Sequence, residues 1–222
     1  MLRPERADVM KTGLMGGTFN PIHLGHLRIA EEARDVCGLD RIVFIPAADP
    51  PHKPLVDEVA FTDRFEMVRL AIQGNPFFEI SDMEAKRGGK SYSIDTINAF
   101  QAENQGDELF FIIGSDSFSE LAQWHCYEQI FASCNLIVVQ RPGYVVVNPL
   151  MALPSAIRHQ FERLDEQAAV VHCSGTTVQF LDSCLLGISS SEIRSRMRSE
   201  SSIRYLLPPQ VEAYIKKQRI YI

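Results

Sequence analysis

His23 and His26 stand three positions apart with Gly25 between them, and Gly16-Gly17-Thr18-Phe19-Asn20 runs just ahead. At a helix start, residues three apart share a face, so both imidazoles can donate to one group of phosphate oxygens. The paired glycines let the main chain come close to a ligand. Exposed amides followed by a helix N-terminus make an anion site. A second set of this kind lies at Ile188-Ser189-Ser190-Ser191-Glu192-Ile193-Arg194. Ser189 and Glu192 fit an S-x-x-E capping box. The hydroxyls and first-turn amides there suit a phosphate, which Arg194 can grip with two parallel bonds. Each set also has a plainer reading: a glycine turn beside a structural histidine, and a capped helix with solvated Arg194, Arg196 and Arg198.

Neither set is a Walker A loop, which ends in G-K-[ST], nor a G-x-G-x-x-G dinucleotide fingerprint. Cys37, Cys126, Cys134, Cys173 and Cys184 are scattered without a C-x-x-C pair. A zinc site or disulfide framework is therefore not expected, and reduced thiols suit a cytoplasmic protein.

The elements that must position these residues alternate between short apolar runs and helical stripes. Strands are expected at Thr12–Met15, Arg41–Ile45, Phe77–Ile80, Leu109–Ile113, Asn135–Val139 and Ala168–His172, with a weaker one at Thr177–Leu181. Continuous apolar runs of this length fit strands covered on both faces. Gly25–Cys37 aligns Leu27, Ala30, Ala33 and Cys37 on one stripe, and Thr62–Ile72 aligns Phe65, Val68 and Ile72. Ser93–Gln101, Met151–Leu164, Ser190–Ser199 and Pro209–Arg219 are further helix candidates. This order predicts βαβ units, hence an α/β fold with a doubly wound, mainly parallel, Rossmann-like sheet. Ligands of such sheets sit beyond the carboxyl ends of the strands, where the glycine-histidine segment falls. No linker or repeat divides the chain, so residues 1–222 read as a single domain whose last part, about 188–222, is helical.

The 222 residues are 45% hydrophobic and 23% charged, which excludes wholesale disorder. With 28 acidic against 22 basic side chains, the net charge of -6 gives no pull toward nucleic acid or an anionic membrane. The apolar runs are strand-sized, too short for a transmembrane helix. The opening MLRPERADVMK has no apolar stretch of the kind a secretory signal needs.

The H-x-G-H of residues 23–26 resembles the signature of the nucleotidyltransferase α/β-phosphodiesterase superfamily, which spans adenylyltransferases, cytidylyltransferases and class I aminoacyl-tRNA synthetases. Ile188–Arg194 is similar to the I-S-x-[ST]-x-I-R motif of its adenylyltransferases. Other segments narrow the resemblance to the bacterial nicotinate-nucleotide adenylyltransferases over nearly the whole chain. They are Pro46-Ala47-Ala48-Asp49-Pro50-Pro51-His52-Lys53, Lys90-Ser91-Tyr92-Ser93-Ile94-Asp95-Thr96, Phe111–Phe118 followed by Trp124, Arg141-Pro142-Gly143 and Tyr205-Leu206-Leu207-Pro208. Asn20 stands where many members carry Asp, and Ser191 where Thr is usual; both keep a hydrogen-bonding side chain.

The resemblance implies a chemistry. Nicotinate mononucleotide attacks the α-phosphorus of ATP in line, giving nicotinate adenine dinucleotide and pyrophosphate. The attacking phosphate is already ionised, so positioning and charge stabilisation are what a protein must add. His23, His26 and Arg194 are the expected catalytic residues. Gly16, Gly17, Thr18, Phe19, Gly114, Asp116, Ile188, Ser189, Ser190 and Ser191 join His26 and Arg194 in ATP binding. Asn20, Lys53, Tyr92, Ser93, Trp124 and His125 are expected at the mononucleotide. There the Trp124 face can attract the cationic pyridinium by about 0.5–2 kcal/mol, against the plainer fate of a core anchor. Main-chain amides around Tyr92, Ser93 and His125 are expected to read the carboxylate. Mg²⁺ is implied by the triphosphate and held mainly by phosphate oxygens and water, with no protein ligand assigned. Another acceptor, phosphopantetheine or nicotinamide mononucleotide, is the nearest alternative, and a non-catalytic nucleotide-binding module is a more distant one. Homo-oligomerisation is left open.

Overall fold

The computed structural model describes residues 9–51, 59–140, 146–164, 168–182 and 186–221. Strands β1 (Lys11–Gly17), β2 (Arg41–Pro46), β3 (Phe78–Ile80), β4 (Glu108–Gly114), β5 (Asn135–Val139), β6 (Phe161–Arg163), β7 (Ala169–His172) and β8 (Thr177–Leu181) join in one sheet. Their order is β3-β2-β1-β4-β5-β8-β7-β6. All pairs from β3 to β8 are parallel; β8-β7 and β7-β6 are antiparallel. The helices are α1 (Leu24–Cys37), α2 (Phe61–Ile72), α3 (Met83–Arg87), α4 (Ser93–Glu103), α5 (Ser115–Ser119), α6 (Tyr127–Ser133), α7 (Pro149–Ala152), α8 (Ser190–Arg198) and α9 (Pro209–Gln218).

Strand residues point alternately to two faces, and both are covered. Leu14, Val43, Ile45, Phe111 and Ile113 pack with Ile94 and Ile97 of α4 and Ile130 of α6. Met15, Ile42, Phe44, Phe110 and Ile112 pack with Ala30 and Ala33 of α1, Val68 of α2, Ile193 of α8 and Ile215 of α9. Strands buried on both sides explain the unbroken apolar runs. Between β1 and β4 the winding reverses direction, and that switch point is where a doubly wound sheet opens a crevice. Helix α1 ends at Gly38, whose φ of 63° places it in the left-handed region that glycine enters without strain.

The N-terminal ends of the central strands are tied by Arg41. Its guanidinium donates to Thr12 Oγ1, Glu79, Asn104 Oδ1 and Asp107 Oδ2, each at 3.1 Å in its shortest contact. At the other edge of the fold, Tyr214 of α9 donates to Asp63 of α2 at 2.8 Å. Beyond α9, Arg219 (φ 55°) reverses the chain and leads to the buried Tyr221.

Two expectations fail. Residues 151–164 are not one helix. Helix α7 stops before Pro154, with Leu153 already extended (ψ 150°), as a residue preceding proline prefers. Phe161–Arg163 then pairs antiparallel with β7 as β6. On α2 the buried stripe contains Arg64 and Met67 with Val68 and Ile72, whereas Phe65 is half-buried against Phe61.

Candidate active site

Strands β1 and β4 both end in glycine, at Gly16-Gly17 and Gly114, so the crevice beyond them is floored by main chain with little side chain in the way. A cleft of about 450 Å³ opens there. The first anion element forms one wall. His23 is the N-cap of α1 with extended backbone (φ -147°), and it is 4% exposed. Its ring stacks on His26 at a centroid distance of 3.7 Å, and Phe19 meets the outer ring edge-on at 5.2 Å. The His23 amide donates to His26 Nδ1 at 3.3 Å. A neutral imidazole whose Nδ1 accepts carries its proton on Nε2, so His26 is set as an Nε2 donor.

Gly25 fits because the space a side chain needs is already filled. A Cβ there would lie 3.0 Å from His23 Nδ1 and 3.6 Å from the Ile188 carbonyl oxygen. The same glycine thus admits the imidazole pair, and the second anion element lies on its other side at ordinary van der Waals distance. That element is the start of α8, capped by Ser189 Oγ accepting from the Glu192 amide at 3.2 Å. Glu192 turns outward to Arg196 at 2.9 Å. Ser190 Oγ donates to the Pro21 carbonyl at 2.8 Å, and Arg194 Nη1 donates to the Asn20 carbonyl at 2.7 Å. Two segments far apart in sequence therefore touch directly at the crevice.

The opposite wall is aromatic. Trp124 is half-buried, packs on the core and meets Phe111 edge-on at 6.5 Å; the rings of Tyr92 and His125 lie 4.4 Å apart. Trp124 is thus anchored in the core and also faces the cleft. The Tyr92 amide already donates to the Lys90 carbonyl at 3.0 Å. Amides suited to a carboxylate are accordingly those of the first turn of α4, beginning at Ser93, which have no acceptor within the helix.

Of the residues anticipated from sequence, Gly16, Gly17, Thr18, Phe19, Asn20, His26, Tyr92, Ser93, Gly114, Asp116, Trp124, His125, Ser190 and Arg194 line this cleft. His23, Ile188, Ser189 and Ser191 are not among the residues that line it: His23 is buried beside His26, and Ser189 and Ser191 are exposed at the start of α8. Lys53 and the Arg141-Pro142-Gly143 segment lie outside the described residues. Sequence reasoning missed the polar network under the second wall. Buried Glu84 accepts from Thr96 Oγ1 at 2.6 Å, and Ser91 Oγ accepts from the Ala48 and Asp49 amides at 3.0 Å. Ser91 and Thr96 fall inside a segment already picked out, but Glu84 carried no signal beyond an ordinary exposed-looking helix residue. Among the described residues no group of three or more His, Cys, Asp or Glu is placed to hold a metal ion, and no helix is long and apolar enough to cross a membrane.

Comparison with known proteins agrees with this geometry. A family profile described as cytidylyltransferase-like matches residues 14–196. A probable nicotinate-nucleotide adenylyltransferase of Pelobacter propionicus is 61% identical, over 96% of this chain and 98% of its own length. Its counterpart in Geobacter sulfurreducens is 56% identical with the same coverage. Among solved structures, Plasmodium falciparum nicotinic acid mononucleotide adenylyltransferase complexed with NaAD superposes with a TM-score of 0.74 at 18% identity, covering 96% of this chain and 97% of that one. A putative nicotinate-nucleotide adenylyltransferase of Vibrio parahaemolyticus gives 0.63 at 17% identity, covering 96% of each. At those identities the structural matches speak for the fold, and the two close relatives speak for the lineage. The chain belongs to the nicotinate-nucleotide adenylyltransferase family, within the cytidylyltransferase-like group.

Proposed function

We propose that this protein transfers the adenylyl group of ATP to nicotinate mononucleotide, releasing pyrophosphate and forming nicotinate adenine dinucleotide for NAD synthesis. The observation that carries the reading is the meeting of His26 and Arg194 across one glycine-floored cleft that has Trp124 on its far wall. The triphosphate lies over the Gly16–Phe19 amides. His26 donates from Nε2 and Arg194 supplies a bidentate cation, both aimed at charge that grows as the α-phosphorus is attacked. His23 acts behind His26 by stacking on it and capping the same helix. Ser189 caps α8, and Ser190 holds α8 against the loop. Asp116 and Gly114 take the adenosine side, and the pyridinium rests on Trp124 with its carboxylate toward the α4 first turn and His125.

The substrate phosphate is the nucleophile, so no protein group attacks and none must be regenerated. Among the described residues no group of three or more His, Cys, Asp or Glu is placed to cage an ion, and Mg²⁺ enters as part of the ATP complex, carried by phosphate oxygens and water. The whole chain acts as one nucleotidyltransferase unit in the cytoplasm.

Pyrophosphate release with ATP and, in turn, nicotinate mononucleotide, nicotinamide mononucleotide and phosphopantetheine tests the assignment. The acid is expected to be the preferred acceptor. An amide presented to amides that expect a carboxylate leaves donors facing donors, so a preference for the nicotinamide form would overturn the reading. Turnover with phosphopantetheine alone would overturn it too, and ATP binding without turnover of any acceptor would mark a binding module.

A further inference from the structure

Phe19 is held at φ 47°, in the left-handed region that a bulky side chain seldom occupies. Such a conformation persists only where neighbours over-determine it. Two residues outside the cleft flank it from behind. On one side, Arg64 Nη1 donates to the Thr18 carbonyl at 2.8 Å. On the other, the Tyr221 hydroxyl donates to Asn20 Oδ1 at 2.5 Å. Neither was anticipated: Arg64 lies on α2 and Tyr221 follows the last helix.

Arg64 is unusual in its own right. The side chain is 0% exposed, and among the described residues no carboxylate forms an ion pair with it. Nε reaches the Val59 carbonyl at 3.4 Å, while Nη2 is buried with no hydrogen-bond partner. Burial pushes its pKa down from the ordinary arginine value, partly opposed by Tyr221 and Glu84. A buried guanidinium with one nitrogen unsatisfied is costly for stability alone, and an apolar side chain would pack the α2 face more cheaply. What Arg64 achieves is a hold on one carbonyl of the glycine-rich loop.

That hold has a directional effect. In a trans peptide the N–H points opposite to the C=O. The Gly17 carbonyl is fixed by the Ala47 amide at 2.8 Å, and the Thr18 carbonyl by Arg64. Fixing these two oxygens fixes the Thr18 and Phe19 amides. Tyr214 of α9, bonded to Asp63, locks α9 onto α2, so the supports of Arg64 and Tyr221 form one layer.

We propose that Arg64 and Tyr221 are positioning residues that hold the Thr18–Asn20 segment in its strained form and so aim the Thr18 and Phe19 amides at the ATP phosphates. This rests on the function proposed above, and the test separates the two.

Tyr221→Phe removes one hydroxyl and nothing else. Steady-state kinetics with ATP and nicotinate mononucleotide should show kcat/KM for ATP falling about tenfold, with a clear rise in KM for ATP and a melting temperature close to that of the parent. Arg64→Met should cost more, about a hundredfold, and Arg64→Lys, which can still reach the carbonyl with one donor, should recover at least part of it. Hydrogen exchange of the Thr18 and Phe19 amides in the ligand-free proteins should quicken in Tyr221→Phe. A purely structural role lowers kcat in proportion to the folded fraction and leaves KM for ATP and the exchange of those amides unmoved; that pattern overturns the proposal, as does parent-like behaviour of Tyr221→Phe. Should Arg64→Met not fold, Tyr221→Phe and Arg64→Lys decide. If the parent protein turns over no acceptor, the functional reading fails while the exchange measurement still judges the clamp.

Discussion

The imidazole segment and the serine-rich helix start reach the same cleft on different kinds of support. The first is clasped between β1 and α1, with His23 and Gly25 buried and the rings stacked. The second stands largely in solvent; within α8 only Ile193 is buried. Ile193 seats it in the core, and its bonds to the first element include those of Ser190 and Arg194 to the Pro21 and Asn20 carbonyls. The sheet therefore positions the first element, and the first element positions the second. The phosphate site thus has one half buried against the sheet, the more rigid of the two, and a more exposed half that depends on it.

Substitutions should reveal that ranking. His26→Ala removes a donor fixed by the rigid half, and kcat should drop by roughly 10²–10³ with little change in melting temperature. Arg194→Ala removes both a phosphate cation and the Asn20 tie, and kcat/KM for ATP should fall roughly 10- to 100-fold, the worth of a charged hydrogen bond. Arg194→Lys should recover only part of this, since one ammonium cannot match a guanidinium that serves two acceptors. Gly25→Ala puts a methyl group 3.0 Å from His23 Nδ1 and should lower kcat about tenfold, by the misplacement of reacting groups. Ser190→Ala loses one neutral hydrogen bond of about 0.5–1.5 kcal/mol, so kcat/KM should change roughly two- to tenfold. Parallel kinetics and melting curves check all five. If Ser190→Ala proved as harmful as His26→Ala, the contrast between a rigid and a dependent half would be broken.

Much of this arrangement was open to reading from residue order. The central strands appear where apolar runs demanded them, because a strand covered on both faces has no polar positions to confuse the pattern. The Met151–Leu164 stretch misled because helical spacing there competes with Pro154, and because Phe161 finds a partner in His172 that only the folded sheet supplies. Short α5 and α6 have too few turns to show a period. Arg64 was invisible for a different reason: a charged residue on an amphipathic helix is assigned to the wet face by default, and nothing local announces that it points inward. The meeting of residues 23–26 with 190–194 followed from family resemblance, since spacing within one segment carries no information about another so distant. Ser189 behaves as its capping pattern says, while the reciprocal half of that box is replaced by the Glu192–Arg196 pair.

Arg41 has a wider consequence. Its bonds to Thr12, Glu79, Asn104 and Asp107 collect at the foot of strands whose other ends carry the cleft. From Thr12 to Gly17, five residues of strand rise put roughly 16 Å between the two ends. Heat tolerance can be tuned at one end of the molecule while catalysis is tuned at the other.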